Sequence, residues 1–367
     1  MSKMCTRCIM DESDPDIVFD NNGVCNHCHQ YDYNLEKYGY NEKNRDNFIK
    51  KIEEIKRYGK GKKYDCIIGI SGGVDSSFLL HLAVTNGLRP LAVHVDAGWN
   101  TDTAVENIHR LCKKLNINLH TIVVDWATMM ELQRAYMYSG LANLDIPQDH
   151  AFLAATYKYA LKHNIKYMLN GGNMATESIM PKSWGYTWLD FKQIKAVFKI
   201  HARNGNLKLY PHFNVIPYYL IKRRIKRVNL LDSIPYSKKM AIDLLHSNYG
   251  WEYYGGKHFE SRFTKFFQSH YLPEKFGYDK RRAHLSSMIV NGEISREDAL
   301  IEMENDNFYL EETMIEDRDY VLKKLDIPLK DWEQIMKSKN KSAADYPSSV
   351  FVFKIIDYLK NLKGYKY

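Results

Sequence analysis

The chain reads as an α/β protein with a doubly wound parallel sheet, and three observations predict it. Short apolar runs recur at 66–70, 91–95, 119–124 and 167–170. Helical patterns lie between them, at 78–84, 103–115 and 126–138, long enough for the crossovers that parallel neighbours need. Finally, the first run, Cys66-Ile-Ile-Gly-Ile70, passes directly into a glycine-rich turn and then a helix. Folds of this kind bind ligands outside the carboxyl ends of their strands, so the residues after each run are where chemistry is sought.

Taken in order, a polar, Lys-rich helix is expected near 46–58, and Gly59-Lys-Gly-Lys-Lys63 reads as a linker into the first strand. Asp149 is placed to cap a helix running to His163, and Gly171 to Glu177 form the turn after the fourth strand. Beyond residue 180 the period is mainly helical, punctuated by Pro211, Pro217 and Pro235. The predicted units are an N-terminal four-cysteine module with its linker helix (1–58), an α/β domain (59–256) and a mainly helical C-terminal region (257–367).

The turn Ser71-Gly-Gly-Val-Asp-Ser-Ser77 is a phosphate cradle. Adjacent Gly72 and Gly73 let successive main-chain N–H groups point into one concavity, and the helix start adds partial positive charge where Ser71, Ser76 and Ser77 also donate. The Gly-Lys-Ser/Thr of a Walker loop and the G-x-G-x-x-G of a dinucleotide fold are both missing, which argues against a γ-phosphoryl kinase and against a dinucleotide fold. The loop resembles the S-G-G-x-D-S signature of the PP-loop (adenine nucleotide alpha hydrolase-like) ATP pyrophosphatases. That resemblance implies that the loop grips the β,γ-pyrophosphate while the α-phosphorus is attacked, so that AMP is transferred.

The same resemblance implies that Asp96, at the end of the second strand, meets the adenosine ribose; by its own chemistry Asp96 also suits a turn. Gly171, Gly172 and Glu177 resemble the turn that faces the nucleotide in amidating members, where the carboxylate helps hold magnesium. Magnesium is expected on chemical grounds as well, since the triphosphate needs a hard cation bound by few carboxylates, here Asp75 and Glu177. Lys257 and Arg262, in Gly255-Gly-Lys-His-Phe-Glu-Ser-Arg262, are the candidate cations for the leaving pyrophosphate. The basic run 221–227 is read as a solvated helix face.

Cys5-x-x-Cys8 and Cys25-x-x-Cys28, separated by turn-formers, have the spacing of a zinc-binding cage, with an iron–sulfur cluster as the alternative. Four thiolates close such a site, so it would serve as a brace or docking face, with His27 and His29 as supporting residues. The +8 net charge suits an acidic partner. The N-terminus has no apolar signal segment and no run approaches a membrane span, so a cytosolic protein is expected.

With the cysteine pairs and the phosphate loop, the run 250–268 and Lys280-Arg-Arg-Ala-His-Leu-Ser286 resemble the N-acetyl sugar amidotransferases of bacterial surface-polysaccharide pathways. This resemblance, strongest through about residue 305, implies conversion of an acetamido group on a nucleotide-activated sugar or nonulosonic acid to an acetamidino group. The amide oxygen would be adenylated by ATP and ammonia would displace AMP. Position 2 is Ser2 and the first cysteines belong to the cage, so no glutaminase nucleophile is found. The resemblance implies a separate glutaminase and a cyclase-like ammonia-channelling subunit, with nucleic acid not expected as a partner. The rival is a PP-loop tRNA-modifying enzyme of sulfurtransferase or lysidine-synthetase type; a thiolating member needs reactive cysteines, and only Cys66 and Cys112 remain, both in apolar patterns. A zinc-dependent binding protein with a silent nucleotide site is the other class, opposed by the intact Gly72, Gly73, Asp75 and Ser76.

Overall fold

Side chains alternate across the strands, and that alternation divides the interior of the protein. On β1 (Cys66–Gly69), Ile67 faces one apolar core while Cys66 and Ile68 face another. On β2 (Pro90–Asp96), Leu91, Val93 and Val95 join the first core and Ala92 the second. A sheet buried on both faces must be covered by helices on both, as a parallel sheet requires. The computed structural model describes residues 3–42, 44–305 and 309–362; Ser2 lies outside them.

With β3 (Leu119–Val123), β4 (Tyr167–Leu169) and β5 (Lys226–Val228), the sheet has the order β3-β2-β1-β4-β5 and every pairing is parallel. The order reverses between β1 and β4, the switch point at which such sheets open a crevice. β5 was not expected. The basic run 221–227, read as a solvated helix face, is in fact the end of a helix followed by an edge strand, and Lys226 and Arg227 keep that edge charged.

In chain order the helices are α1 (Asn26–Tyr38), α2 (Asn47–Gly59), α3 (Val74–Thr85), α4 (Asp102–Lys114), α5 (Trp126–Met137), α6 (Ile146–Lys162), α7 (Met174–Glu177), α8 (Phe191–His201) and α9 (Val215–Arg224). After β5 come α10 (Lys238–Tyr249), α11 (Arg262–Phe266), α12 (Leu272–Phe276), α13 (Lys280–Val290), α14 (Arg296–Met303), α15 (Glu311–Lys324), α16 (Leu329–Lys337) and α17 (Val350–Leu362). α6 starts earlier than expected: Pro147 fits its first turn because no intrahelical N–H is needed there, so Asp145 is the N-cap position and Asp149 lies inside the helix.

Packing also joins the expected units. α2 packs Phe48, Ile52 and Ile55 into the core shared with β1 and α3, so it belongs to the α/β body. The C-terminal region joins the same body. Phe263, Phe266, Phe267 and Tyr271 share one core with Val93, Val95 and Met168, as do Val321 and Trp332.

Candidate functional site

The phosphate loop is glycine-dependent in two ways. Gly72 has φ +85°, and a Cβ there would lie 2.5 Å from the Ala104 carbonyl oxygen on α4, so both conformation and space exclude other residues. Ser71 and Ser76 hydroxyls stand 3.2 Å apart, the Ser71 N–H donates to Ser76 Oγ at 3.3 Å, and the Gly73 N–H donates to Ser71 Oγ at 3.2 Å. These are the groups that an oxyanion would take over. Gly171 presses on the same place, since a Cβ on it would come within 3.2 Å of the Ser76 nitrogen. Ser77 does not join them: it is wholly buried, its hydroxyl without a partner and outside the cavity lining.

A strap closes over the loop. The segment before α11 is held to the turn after β2, with the Thr101 N–H donating to the Glu260 carbonyl and the Arg262 N–H to the Trp99 carbonyl, both at 2.9 Å. Upstream in the same strap, Trp251 Nε1 donates to the Gly72 carbonyl at 3.2 Å, and the Val74 N–H donates to the Tyr254 hydroxyl at 3.3 Å. This brings Lys257 into the crevice.

There the Lys257 ammonium lies 3.1 Å from Glu177 Oε1, 3.9 Å from Asp75 Oδ2 and 2.9 Å from Thr176 Oγ1. Tyr236 donates its hydroxyl to Asp75 Oδ1. The titration tendencies follow from this packing. Burial works against the Lys257 charge, yet Glu177 and Asp75 raise its pKa. Glu177 is held below the usual range, Lys257 and His258 outweighing its burial. Asp75 is raised, first by burial and also by Glu177, against the pull of Lys257. Two carboxylates thus share one cation beside a main-chain anion cradle. That donor set fits Mg²⁺ bound through one or two carboxylates plus phosphate oxygens.

The cavity is 590 Å³ and extends well beyond the loop. Its lining includes Ser71, Gly73, Asp75, Ser76, Glu177 and Lys257 at one end. Residues that sequence reasoning passed over complete it: His94, Arg227, Lys238 and Lys280, with Asp145 and Asp149 from α6. His258 also lines it, with φ +65°, a strained conformation for a non-glycine residue in a ligand cleft.

Besides Ser77, two expected residues are elsewhere. Arg262 points away from the cavity, its Nε donating to Asp317 Oδ1 on α15 at 2.5 Å, so it braces α11 and is not a cation for the leaving group. Asp96 is outside the lining: its Oδ1 accepts from the Gly98 N–H at 2.7 Å and from Asn100 Nδ2 at 3.2 Å, which closes the turn after β2.

The four N-terminal cysteines converge as their spacing predicts. All four are buried, with sulfurs 3.7 Å apart for Cys8–Cys25 and Cys25–Cys28 and 3.9 Å for Cys5–Cys28. Sulfurs about 2.3 Å from a common tetrahedral centre are about 3.8 Å apart, so the cage fits one four-coordinate ion. N–H groups of Arg7, Cys8 and Cys25 point at Cys5 Sγ, from 3.3 to 3.4 Å. His27 and His29 are occupied by Asp14 and Asp20. The cage is tied to the cavity wall: Ile9 accepts from Arg282 at 2.8 Å and donates its N–H to Ser286 Oγ at 3.2 Å, both on α13, the helix that begins with Lys280. Arg296 donates to the Cys5 and Cys8 carbonyls.

Comparison with known proteins agrees with this architecture. Residues 44–225 match the NAD synthase family, and residues 260–361 match the description "LPS biosynthesis protein WbpG-like, C-terminal domain". The tRNA(Ile)-lysidine synthase of Chlamydia pneumoniae is 28% identical over 115 residues, covering 28% of this chain and 34% of that protein. The enzyme of the same name from Chlamydia felis is 29% identical over 129 residues, 34% of this chain and 32% of that protein. The chain therefore spans about a third of the length of the curated relatives it matches. Among solved structures, the U34-tRNA thiolase NcsA of Methanococcus maripaludis with its [4Fe-4S] cluster is 16% identical, with 82% of this chain and 89% of that chain covered at a TM-score of 0.31. The NH3-dependent NAD synthetase of Campylobacter jejuni is 18% identical over 35% of this chain and 56% of that chain, at a TM-score of 0.28. A phosphate loop without lysine on a parallel sheet, within the part that matches NAD synthase, makes this chain a member of the PP-loop ATP pyrophosphatase superfamily, with a C-terminal segment that matches the WbpG-like domain.

Proposed function

We propose that the protein is an ATP-dependent amidotransferase. It adenylates the acetamido carbonyl of an N-acetylated sugar nucleotide or nonulosonic acid, replaces the oxygen with ammonia to give an acetamidino group, and releases AMP and pyrophosphate. The observation that carries this reading is the strap. Lys257, just before the WbpG-like segment, meets Asp75 of the phosphate loop and Glu177 of the turn after β4. Within that segment Glu260, Thr264, Gln268 and Lys280 line the same cavity, so the strand-end loop and the WbpG-like segment build one site.

The chain's own groups account for most of the work. Main-chain N–H groups of Ser71 to Val74, with the Ser71 and Ser76 hydroxyls, bind the terminal phosphates and hold the α-phosphorus facing the acetamido oxygen. Asp75 and Glu177 would hold Mg²⁺, which supplies charge neutralisation for the departing pyrophosphate. Lys257, already charged and buried between them, adds fixed positive charge on the same side. The cysteine cage would hold zinc and keep α13 in position. Ammonia would come from a separate glutaminase through a cyclase-like channelling subunit, in the cytosol. Among the described residues no helix is long and apolar enough to cross a membrane.

The lysidine-synthase matches keep a tRNA-modifying reaction as the second reading. The thiolating form of it is disfavoured, because burial raises the Cys66 thiol and pushes Cys112 up to about 11, leaving neither as a thiolate at neutral pH. Incubation with ATP, ammonium and a panel of acetamido sugar nucleotides, with bulk tRNA as the control, separates the two. AMP formation with the mass change of oxygen replaced by NH on the sugar is the expected result. ADP and phosphate as products, or a modified tRNA, would reject the amidotransferase.

A further inference from the structure

Resting on that amidotransferase reading, we infer that Asp149 is the base that takes a proton from the incoming ammonium nitrogen. Asp145 and Asp149 stand one turn apart at the start of α6 and both face the cavity. They are not equivalent. Asp145 is fixed, accepting from Gln148 Nε2 at 2.8 Å and from Thr264 Oγ1 at 3.2 Å. Among the described residues nothing donates to the Asp149 carboxylate, so its oxygens are free for a ligand in the cavity.

Channelled ammonia arrives neutral, but nitrogen taken from bulk solvent at neutral pH arrives as ammonium and must become ammonia, and the surroundings suit that step. Phe152, Leu153 and Trp188 line the cavity with Asp149, and apolar surface tolerates ammonia but not an unpaired ammonium. The charged neighbours are Asp145 on α6, Lys280 on α13 and His258 on the strap. Burial, then Asp145, push the Asp149 carboxyl up to about 7, against the pull of Lys280 and His258. A base is most effective when its pKa lies near the working pH. Lys280 interacts with Asp145, Asp149 and Glu177, which ties this wall to the magnesium end of the cavity.

One N–H bond of ammonium breaks, its proton passing to the Asp149 carboxylate and its electron pair remaining on nitrogen. That pair forms the C–N bond to the imidate carbon of the neutral O-adenylyl imidate, and the C–O bond to AMP breaks with its electrons on the phosphate oxygen. Of the three remaining hydrogens, two stay on the new nitrogen and one moves to the sugar nitrogen, which gives the amidinium. The proton on Asp149 then leaves to water.

The test compares the wild type with Asp149→Asn, supplied with ATP, magnesium, an acetamido sugar nucleotide and ammonium chloride. Sugar-dependent exchange of pyrophosphate into ATP reads adenylation alone, and amidine formation reads both steps. The variant should keep exchange within about threefold of wild type and lose about 100-fold or more of amidine formation at neutral pH, the size of a general-base contribution. The deficit should shrink as pH rises and free ammonia accumulates, and Asp149→Glu should recover part of the rate. Asp149→Ser, measured alongside, keeps the test open if the amide variant fails to fold. Undiminished amidine formation overturns the assignment. So does a parallel loss of exchange with a raised KM for the sugar, which would make Asp149 a sugar contact. Sugar-independent or absent exchange in the wild type would instead overturn the adenylation reading, and the base with it.

Discussion

The cysteine cage and the phosphate loop solve opposite electrostatic problems with opposite materials. The cage gathers four side-chain sulfurs to receive a cation, in a segment with little apolar core of its own. The loop gathers main-chain N–H groups to receive an anion, on a strand whose apolar residues are almost wholly buried. The sheet therefore preforms the loop before any ligand arrives, whereas the cage, with an ion bound, would draw folding energy from it. They also differ in reach. The loop acts on what it touches. The cage acts at a distance, through Ile9 and Arg282, on the helix that carries Lys280 to the cavity.

Three substitutions would break or sharpen that contrast. The largest effect is expected from Asp75→Asn, which removes a carboxylate from the pair proposed to hold magnesium. Pyrophosphate release should fall on the order of 10²–10³-fold or more, while the melting temperature stays level or rises. The sign follows from the raised Asp75 carboxyl: its charge is disfavoured in the fold, so stability attached to it is full at low pH and declines as pH rises through its titration. A melting point that drops with the rate would make Asp75 structural.

Next in size is Cys8→Ser. Elemental analysis of the parent protein should find close to one zinc per chain, and the variant should lose it together with several kcal/mol of stability, as metal binding and folding are coupled. Sugar-dependent turnover should then fall through loss of α13 placement while isolated ATP binding persists. A metal-free variant with unchanged melting and turnover would sever the cage from the cavity.

The smallest effect is expected from Arg262→Met. Asp317 is 3% exposed and keeps Lys265 at 2.9 Å and the Tyr309 hydroxyl at 2.8 Å, so loss of Arg262 should cost about 1–3 kcal/mol of stability. kcat/KM of the folded enzyme should change little. A selective fall in kcat would return Arg262 to the leaving-group site.

Features written in consecutive residues were readable in advance, and those assembled across the chain were not. The loop 71–77 and the two cysteine pairs announce themselves through spacing, and Lys257 through its glycine turn. Asp96 carried a readable sign too, since an aspartate two residues before Gly98 is suited to closing its own turn. Arg262 gave none, because its partner lies on α15, far along the chain. Asp149 was legible as a helix-start acid, yet its role depends on Lys280 and His258, which only the fold brings near. β5 stayed hidden because three residues in a basic run offer neither apolar period nor length.

The larger apolar core draws on residues from Ile67 to Tyr346. A chain cut near residue 256 would leave oily faces on both fragments, and neither would remain soluble. Evolution can retune what this scaffold accepts by small changes in the C-terminal third, but it cannot exchange that third wholesale without rebuilding the interior that supports the nucleotide cleft.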